Sequence, residues 1–302
     1  MTQTLIIFLF LCLSPIWGKG QEVRFEFSEI YNSTIRIESI VDNNGIIDTI
    51  VSTGFFYDFN SRMLNDSIYV KTTTIVANRK VVEKASEGIL FFSCIDLDIR
   101  KKDTTRYIWL VDSFSESWIY HPDSTVDLAI LPVTYMNREF RKDGREILYY
   151  PLNSAAIPDK KNWQEQNQLE DILVIGYPQG FWDVKNNLPV CRKGITAIPR
   201  SIDYNGEEEL LLDIPVFEGS LGSPVFSYEN GTYLDQGNLV YRKRFKLIGI
   251  TTENMDFLSL GEIDSGTFNS PSLSARMRTP LDLATAIKSF KLLDFEEYLN
   301  FD

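Results

Sequence analysis

Residues 218–224 (EGSLGSP) form a glycine- and serine-rich turn that joins two apolar runs. Most turns of this composition carry no chemistry, so the turn has to be interpreted together with the segments that precede it. Residues 126–131 (VDLAIL) are an apolar run that begins beside Asp127, and residues 74–82 (TIVANRKVV) pass from an apolar run into a polar turn. Each segment alone is typical of ordinary structure, the first of a buried strand and the second of a short helix that exposes Lys80.

The spacing of three positions within these segments makes the combination specific. Lys80, Asp127 and Leu221 are 47 and 94 residues apart. The histidine, aspartate and serine of a chymotrypsin-type triad are about 45 and about 93 residues apart. On these motifs the chain resembles the trypsin/chymotrypsin-like serine peptidases, whose nucleophile loop is usually Gly-x-Ser-Gly-x-Pro.

Two further segments are similar to the bacterial branch of that family. Residues 175–180 (IGYPQG) resemble its Gly-Tyr-Pro segment, and Phe217 and Glu218 precede the turn as they do in that branch. The resemblance covers roughly residues 50–295. It implies an all-β fold of two packed antiparallel β-barrels of the trypsin-like type.

The resemblance also implies that the catalytic machinery is incomplete. Asp127 is retained, but Lys80 takes the place of the histidine and Leu221 that of the serine. The reaction needs a nucleophile and a base that removes its proton, whereas leucine has no nucleophilic atom and an ammonium group has no lone pair. We therefore expect a catalytically inactive homologue that acts by binding a peptide or protein.

Lys80 and Asp127 are expected to form a shielded ion pair. Loss of the imidazole would leave the Asp127 carboxylate uncompensated, and a buried unpaired charge is costly. A cation at position 80 restores the balance, and its alkyl stem would pack against Leu221.

Two alternatives stay open at this stage. One is an active serine-type hydrolase with a non-standard constellation, drawing on Ser220, Ser223 or the single histidine, His121. Neighbouring side chains on a tight turn point in different directions, and the resemblance places His121 on a solvated surface loop outside the triad. The other alternative is a purely structural module without a functional cleft.

The resemblance implies which groups would hold a ligand. Backbone amides of Gly219 and Leu221 would form an oxyanion hole. The strand at residues 247–253 would pair with an extended peptide, and Pro215 would line the primary pocket as an uncharged wall that favours apolar or small side chains. The predicted cleft residues on that strand are Gly249, Ile250, Thr251 and Thr252.

Strand-like runs between turns indicate the domain boundaries. Short segments rich in Val, Ile, Thr, Tyr and Phe predict a first barrel over about residues 35–133 and a second over about 170–255. The polar, proline-containing stretch 134–169 predicts an irregular connection. Apolar residues at steps of three predict a C-terminal helix over about residues 280–297.

The first twenty residues predict export. Residues 4–17 (TLIIFLFLCLSPIW) are an apolar run too short for a comfortable membrane span and followed by small residues. We predict a signal peptide at residues 1–20, a mature domain at 21–302, secreted or periplasmic localisation, and no membrane span after signal removal.

Composition argues against several classes of partner. Acidic residues outnumber basic ones by 42 to 30, giving a formal net charge of −12, which disfavours nucleic acid as a partner. One histidine and, without the leader, two cysteines are too few soft ligands for zinc, and no cofactor is expected. Whether Cys94 and Cys191 pair, and whether the protein oligomerises, stays open.

Overall fold

The computed structural model describes residues 27–65, 68–165, 168–235, 238–263 and 273–299. Strands dominate these residues and form two sheets, one open and one closed. The predicted leader at residues 1–20 lies outside the described residues.

The first half of the chain forms an eight-stranded sheet. Its strands pair antiparallel in the order β5-β4-β1-β2-β3-β7-β6, and β8 pairs with the last residues of β4 beyond the end of the β1–β4 ladder. The bounds are β1 (Thr34–Asn43), β2 (Ile46–Asn65), β3 (Ile68–Ala77), β4 (Glu87–Asp96), β5 (Lys101–Asp112), β6 (Ile119–Tyr120), β7 (Ala129–Pro132) and β8 (Arg145–Ile147).

The second half forms a closed six-stranded barrel. Its strands follow one another around the barrel in the order β10-β11-β14-β13-β12-β9. The bounds are β9 (Asp171–Gly176), β10 (Val190–Thr196), β11 (Glu209–Asp213), β12 (Pro224–Asp235), β13 (Asn238–Ile263) and β14 (Leu273–Lys288).

Short helices connect and close the two halves. The one with a direct bearing on the site is α2, a single turn that follows β3. The bounds are α1 (Phe27–Ile30), α2 (Arg79–Val82), α3 (Thr134–Lys142), α4 (Lys160–Glu165) and α5 (Leu293–Tyr298).

Three hydrophobic clusters form the core. One lies within the first sheet, one fills the barrel, and the third joins the two halves. The joining cluster contains Phe55 and Ile130 from the first half together with Phe226 and Ile250 from the second, all fully buried. Burial of each such side chain stabilises the fold by about 1.5–3 kcal/mol, so the two halves are held as one packed unit.

The predicted all-β, trypsin-like fold class is confirmed, but among the described residues the first half forms an open sheet instead of the predicted barrel. The second barrel extends well beyond the predicted end at residue 255. Its closure requires β14, which pairs with β11 on one side and β13 on the other. The predicted irregular connection 134–169 also contains regular structure, namely α3, β8 and α4.

The C-terminal helix is present but much shorter than predicted. Residues 279–288 belong to β14, and only Leu293–Tyr298 form α5. The steps of three gave the wrong period because the last part of this strand, residues 284–288, is buried on both faces, with Ala284 and Ala286 in the barrel core and Ile287 in the joining cluster. Pro280 is accommodated next to a register shift in the β13–β14 ladder, where proline is tolerated.

Candidate functional site

The carboxylate of Asp127 is fixed beneath α2. Pairing of β3 with β7 brings Ala77 opposite Ala129, which places the end of one strand beside the beginning of the other. The Lys80 backbone N–H donates a hydrogen bond to Asp127 Oδ1 at 2.8 Å, and the Asn78 side chain donates to the Asp127 carbonyl at 3.1 Å. Asp127 therefore satisfies an N–H group at the start of α2 that the helix itself cannot pair.

The ammonium group of Lys80 bridges the two halves. Its Nζ lies 3.3 Å from Asp127 Oδ2 and donates to the Thr252 carbonyl of β13 at 2.5 Å. The Lys80 side chain is 37% exposed and that of Asp127 23%, so the predicted ion pair forms but is less shielded than expected. Burial nevertheless raises the pKa of Asp127, against the opposing effect of the hydrogen bond and charge of Lys80.

Two further carboxylates lie close to this pair. Glu253 Oε1 is 3.8 Å from Lys80 Nζ, on an otherwise exposed side chain. Glu209 of β11 has a raised pKa, caused first by burial and then by the negative charge of Glu253. Neither residue was identified from the sequence, because no local pattern indicates which strands meet at Lys80.

The turn at residues 217–223 depends on two glycines with positive φ. Gly219 has φ +88° and Gly222 φ +83°, values that L side chains rarely adopt. A Cβ at Gly219 would lie 2.2 Å from the Tyr177 carbonyl oxygen, and one at Gly222 would lie 2.2 Å from that of Thr53. The backbone of the turn thus packs directly on its neighbours, with no room for a side chain.

Thr53 of β2 holds the turn against the first half. Its hydroxyl donates to the Gly219 carbonyl at 2.6 Å, and its backbone N–H donates to the Leu221 carbonyl at 2.9 Å. The same hydroxyl accepts from the Tyr177 N–H at 3.1 Å. Sequence reasoning missed this residue, since a threonine within a strand carries no signal for such a role.

The two predicted oxyanion donors are the N–H groups of Gly219 and Leu221. Their direction follows from the carbonyl groups of the same peptide units, those of Glu218 and Ser220. The Glu218 carbonyl accepts from the Gln179 N–H, and the Ser220 carbonyl accepts from the Thr251 hydroxyl at 2.6 Å. In a trans peptide the N–H points opposite to the C=O. The N–H groups of Gly219 and Leu221 therefore point away from these contacts, and within the described part of the chain neither has an acceptor.

The nucleophile position offers no reactive atom. The Leu221 side chain is half-buried and packs against the cores of both halves. Ser220 is 4% exposed and Ser223 is fully buried, its hydroxyl next to Gly176. The two serines of the turn are therefore withdrawn into the protein.

His121 is buried rather than solvated, which corrects the expectation from the sequence. Its ring nitrogens lie 3.1 Å from the carbonyls of Asp123 and Lys291, and its ring packs edge-on against Phe295 of α5. The expectation was wrong because the 3₁₀ turn Ser289–Leu292 and α5 cover the loop. The histidine anchors this terminal segment and makes no contact with Lys80 or Asp127 in the structure.

The part of β13 that is left for pairing with a peptide is shorter than the predicted residues 249–252. Gly249 and Ile250 are paired on both sides, with β12 and with β14. Thr251 exchanges backbone hydrogen bonds with the turn, to Ser223 and from Gly222. Only Thr252 continues beyond this pairing, and its carbonyl accepts the hydrogen bond from Lys80.

A positively charged side chain, that of Arg192, lies beside Pro215. The Arg192 guanidinium donates to the Pro215 carbonyl at 2.5 Å and lies over the Phe217 ring, 5.1 Å from its centroid. The expected uncharged wall at Pro215 therefore has a positively charged neighbour from β10.

Other sites are not evident in the described part of the chain. Cys94 and Cys191 are free thiols. No group of three or more potential ligands is arranged to hold a metal ion within those residues. No helix found there is long and apolar enough to cross a membrane.

Comparison with known proteins places this chain in a family. The model of the trypsin-like peptidase domain matches residues 53–234, so the chain belongs to the trypsin-like peptidase family. No curated protein matches the chain. Among solved structures, one of the HtrA-type protease AlgW with a tripeptide is similar at 13% identity and a TM-score of 0.45, over 90% of this chain and 61% of that one. The chain thus spans about 61% of that structure's length.

Proposed function

We propose that this chain is a catalytically inactive trypsin-like peptidase homologue that binds an extended peptide or protein segment in the cleft between its two halves. The observation that carries the proposal is the contrast between the side chains and the backbone of the site. Lys80 Nζ is engaged by Asp127 and Thr252, and Leu221 offers no nucleophile. The N–H groups of Gly219 and Leu221 stay available to a ligand carbonyl.

The alternative of a non-standard hydrolase has little support. It requires a hydroxyl within hydrogen-bond reach of a base. Ser220 and Ser223 are buried, His121 contacts the C-terminal segment, and Lys80 Nζ is held by the Asp127 carboxylate and the Thr252 carbonyl. We also propose export through the leader at residues 1–20, in keeping with the secreted or periplasmic setting predicted from the sequence.

Peptide binding is tested by selection from a random-peptide phage library on the immobilised mature protein. Leu221→Trp enlarges the side chain beside the two backbone donors and should reduce recovery of the selected phage at least tenfold. The matched control is Ile47→Trp, at a site near the start of β2 that is 73% exposed. Equal recovery with Leu221→Trp, after thermal unfolding has shown both variants folded, would exclude the cleft as the binding site.

Inactivity is tested separately with denatured casein as substrate. The wild-type protein should release no peptides, because both nucleophile and base are absent. Cleavage that is abolished by Ser220→Ala or Ser223→Ala would establish the alternative function.

A further inference from the structure

Strand β5 forms a long open edge of the first sheet. The barrel is closed, and the other end of the open sheet is β6, only two residues long. β5 spans twelve residues and pairs with β4 on one side. In the described ranges no backbone group pairs with residues 106–112 of β5 on its other side. Proteins usually shorten, charge or cover such an edge, since it can pair with another chain.

Alternate residues of β5 divide into an inner and an outer face. Tyr107, Trp109 and Val111 are half-buried against the core of the first sheet. The outer face carries Ile108, which is 53% exposed, and Leu110, which is 69% exposed. Two aliphatic side chains are thus presented to solvent on a strand that is paired along one edge only.

Charged residues flank these two side chains on the same outer face. Arg106 precedes them and Asp112 follows them, which gives the alternating order Arg, Ile, Leu, Asp. Neither Arg106 nor Asp112 has an ion-pair partner within the described residues, although the Arg106 guanidinium lies 5.4 Å from the Phe91 ring centroid. The two charges are six residues apart on one strand, about 20 Å, so they do not pair with each other within a chain.

We propose that the β5 edge pairs antiparallel with β5 of a second copy of this chain, about a two-fold axis at Trp109. In this register Arg106 lies opposite Asp112 of the second copy, and Ile108 lies opposite Leu110. The pattern is self-complementary, so one dimer contains two such ion pairs and two such apolar pairs. Directly opposite side chains in an antiparallel pair lie about 4.5–5.5 Å apart and stabilise it.

Two neighbouring registers also keep the hydrophobic cores of both copies on the same side of the joined sheet. In these registers the side chains opposite each other match less well. A two-fold axis at Ile108 places Arg106 opposite Leu110, and an axis at Leu110 places Ile108 opposite Asp112. Both arrangements pair a charge with an aliphatic side chain. An axis at Trp109 matches charge with opposite charge and apolar with apolar.

Sedimentation equilibrium of the mature protein tests this interface. The wild type should show a concentration-dependent monomer–dimer equilibrium, and Leu110→Lys should weaken the dimer at least tenfold. The control Ile46→Lys changes a similarly exposed side chain, 72% exposed, at the first residue of β2 and should leave the equilibrium unchanged. A wild type that stays monomeric to the highest soluble concentration, or a dimer unaffected by Leu110→Lys, would overturn the proposal.

A charge exchange tests the register. Arg106→Asp and Asp112→Arg should each weaken the dimer at least tenfold, because each places like charges opposite each other across the two-fold axis. The double variant restores opposite charges between copies and should recover most of the wild-type affinity. A double variant as weak as either single variant, with an unchanged circular dichroism spectrum, would reject this register.

Discussion

The two walls of the proposed cleft differ in the groups that they contribute. The wall from the first sheet carries Lys80 on α2 and Asp127 before β7, and its side chains form an ion pair instead of an acid–base couple. The wall from the barrel carries the turn with Gly219, Leu221 and Gly222, in which the N–H groups of Gly219 and Leu221 have no acceptor among the described residues.

The difference follows from how each wall is held. The turn is fixed through its own backbone, which accepts hydrogen bonds from the Thr53 and Thr251 hydroxyls and packs on the Tyr177 carbonyl. None of these contacts involves the side chain at position 221. The acid–base chemistry depends on side-chain identity alone, so it can be lost while the backbone arrangement persists.

The largest expected effect comes from filling the space at Gly222. Gly222→Ala would place a Cβ 2.2 Å from the Thr53 carbonyl at φ +83°, which forces the turn to move and should cost about 3 kcal/mol. Gly206→Ala is the matched control, because Gly206 has φ +84° but nothing within 4 Å of its Cβ position. Its cost should be limited to about 1–2 kcal/mol of backbone strain. Equal free energies of unfolding in urea for both variants would mean that the turn is not tightly packed.

A smaller loss is expected from removing the hydroxyl that orients the turn. The Thr251 hydroxyl donates to the Ser220 carbonyl at 2.6 Å and accepts from the Ser223 N–H at 3.0 Å in a fully buried position. Thr251→Val should cost about 1–3 kcal/mol because it leaves buried groups unpaired. Thr49→Val, at an exposed position on β2, should change the urea midpoint little, and a comparable change in both would contradict this role of Thr251.

The smallest effect on the free energy of unfolding is expected from a substitution on the wall formed by the first sheet. Asp127→Asn retains an oxygen for the Lys80 N–H and removes only a partly exposed ion pair, so at neutral pH it should cost about 0–1 kcal/mol. A loss of about 3–5 kcal/mol would instead indicate a pair fully shielded from water.

The same variant has a defined pH dependence. The pKa of Asp127 is raised in the folded state, so the folded protein binds the proton more tightly than the unfolded chain. Its contribution to stability is therefore present below the unfolded pKa of about 3.9 and is lost as pH rises through the raised folded pKa. Asp127→Asn should make the urea midpoint vary less with pH between the unfolded and the folded pKa of Asp127. Glu209, whose pKa is also raised, should preserve part of the pH dependence of the urea midpoint in this variant.

The sequence predicted the fold class and the meeting of Lys80 with Asp127, because motif order and spacing reflect a fixed topology. It did not predict β14, since a strand buried on both faces has no period of two, and Ala284 and Ala286 fit a helix equally well. The double pairing of Gly249 was also missed, because strand partners are set by contacts distant in sequence.

The central claim is that the scaffold has kept its backbone donors and lost only side chains. The most direct test is labelling by a serine-reactive fluorophosphonate in the wild type, in Leu221→Ser, and in Lys80→His combined with Leu221→Ser. The wild type should not label, and the single variant should gain little because it lacks a base. The double variant restores a hydroxyl and an imidazole beside Asp127 and should label at position 221, where nucleophile and base must come within about 2.6–3.2 Å. Labelling of the wild type, or a folded double variant that stays unlabelled, would contradict this account.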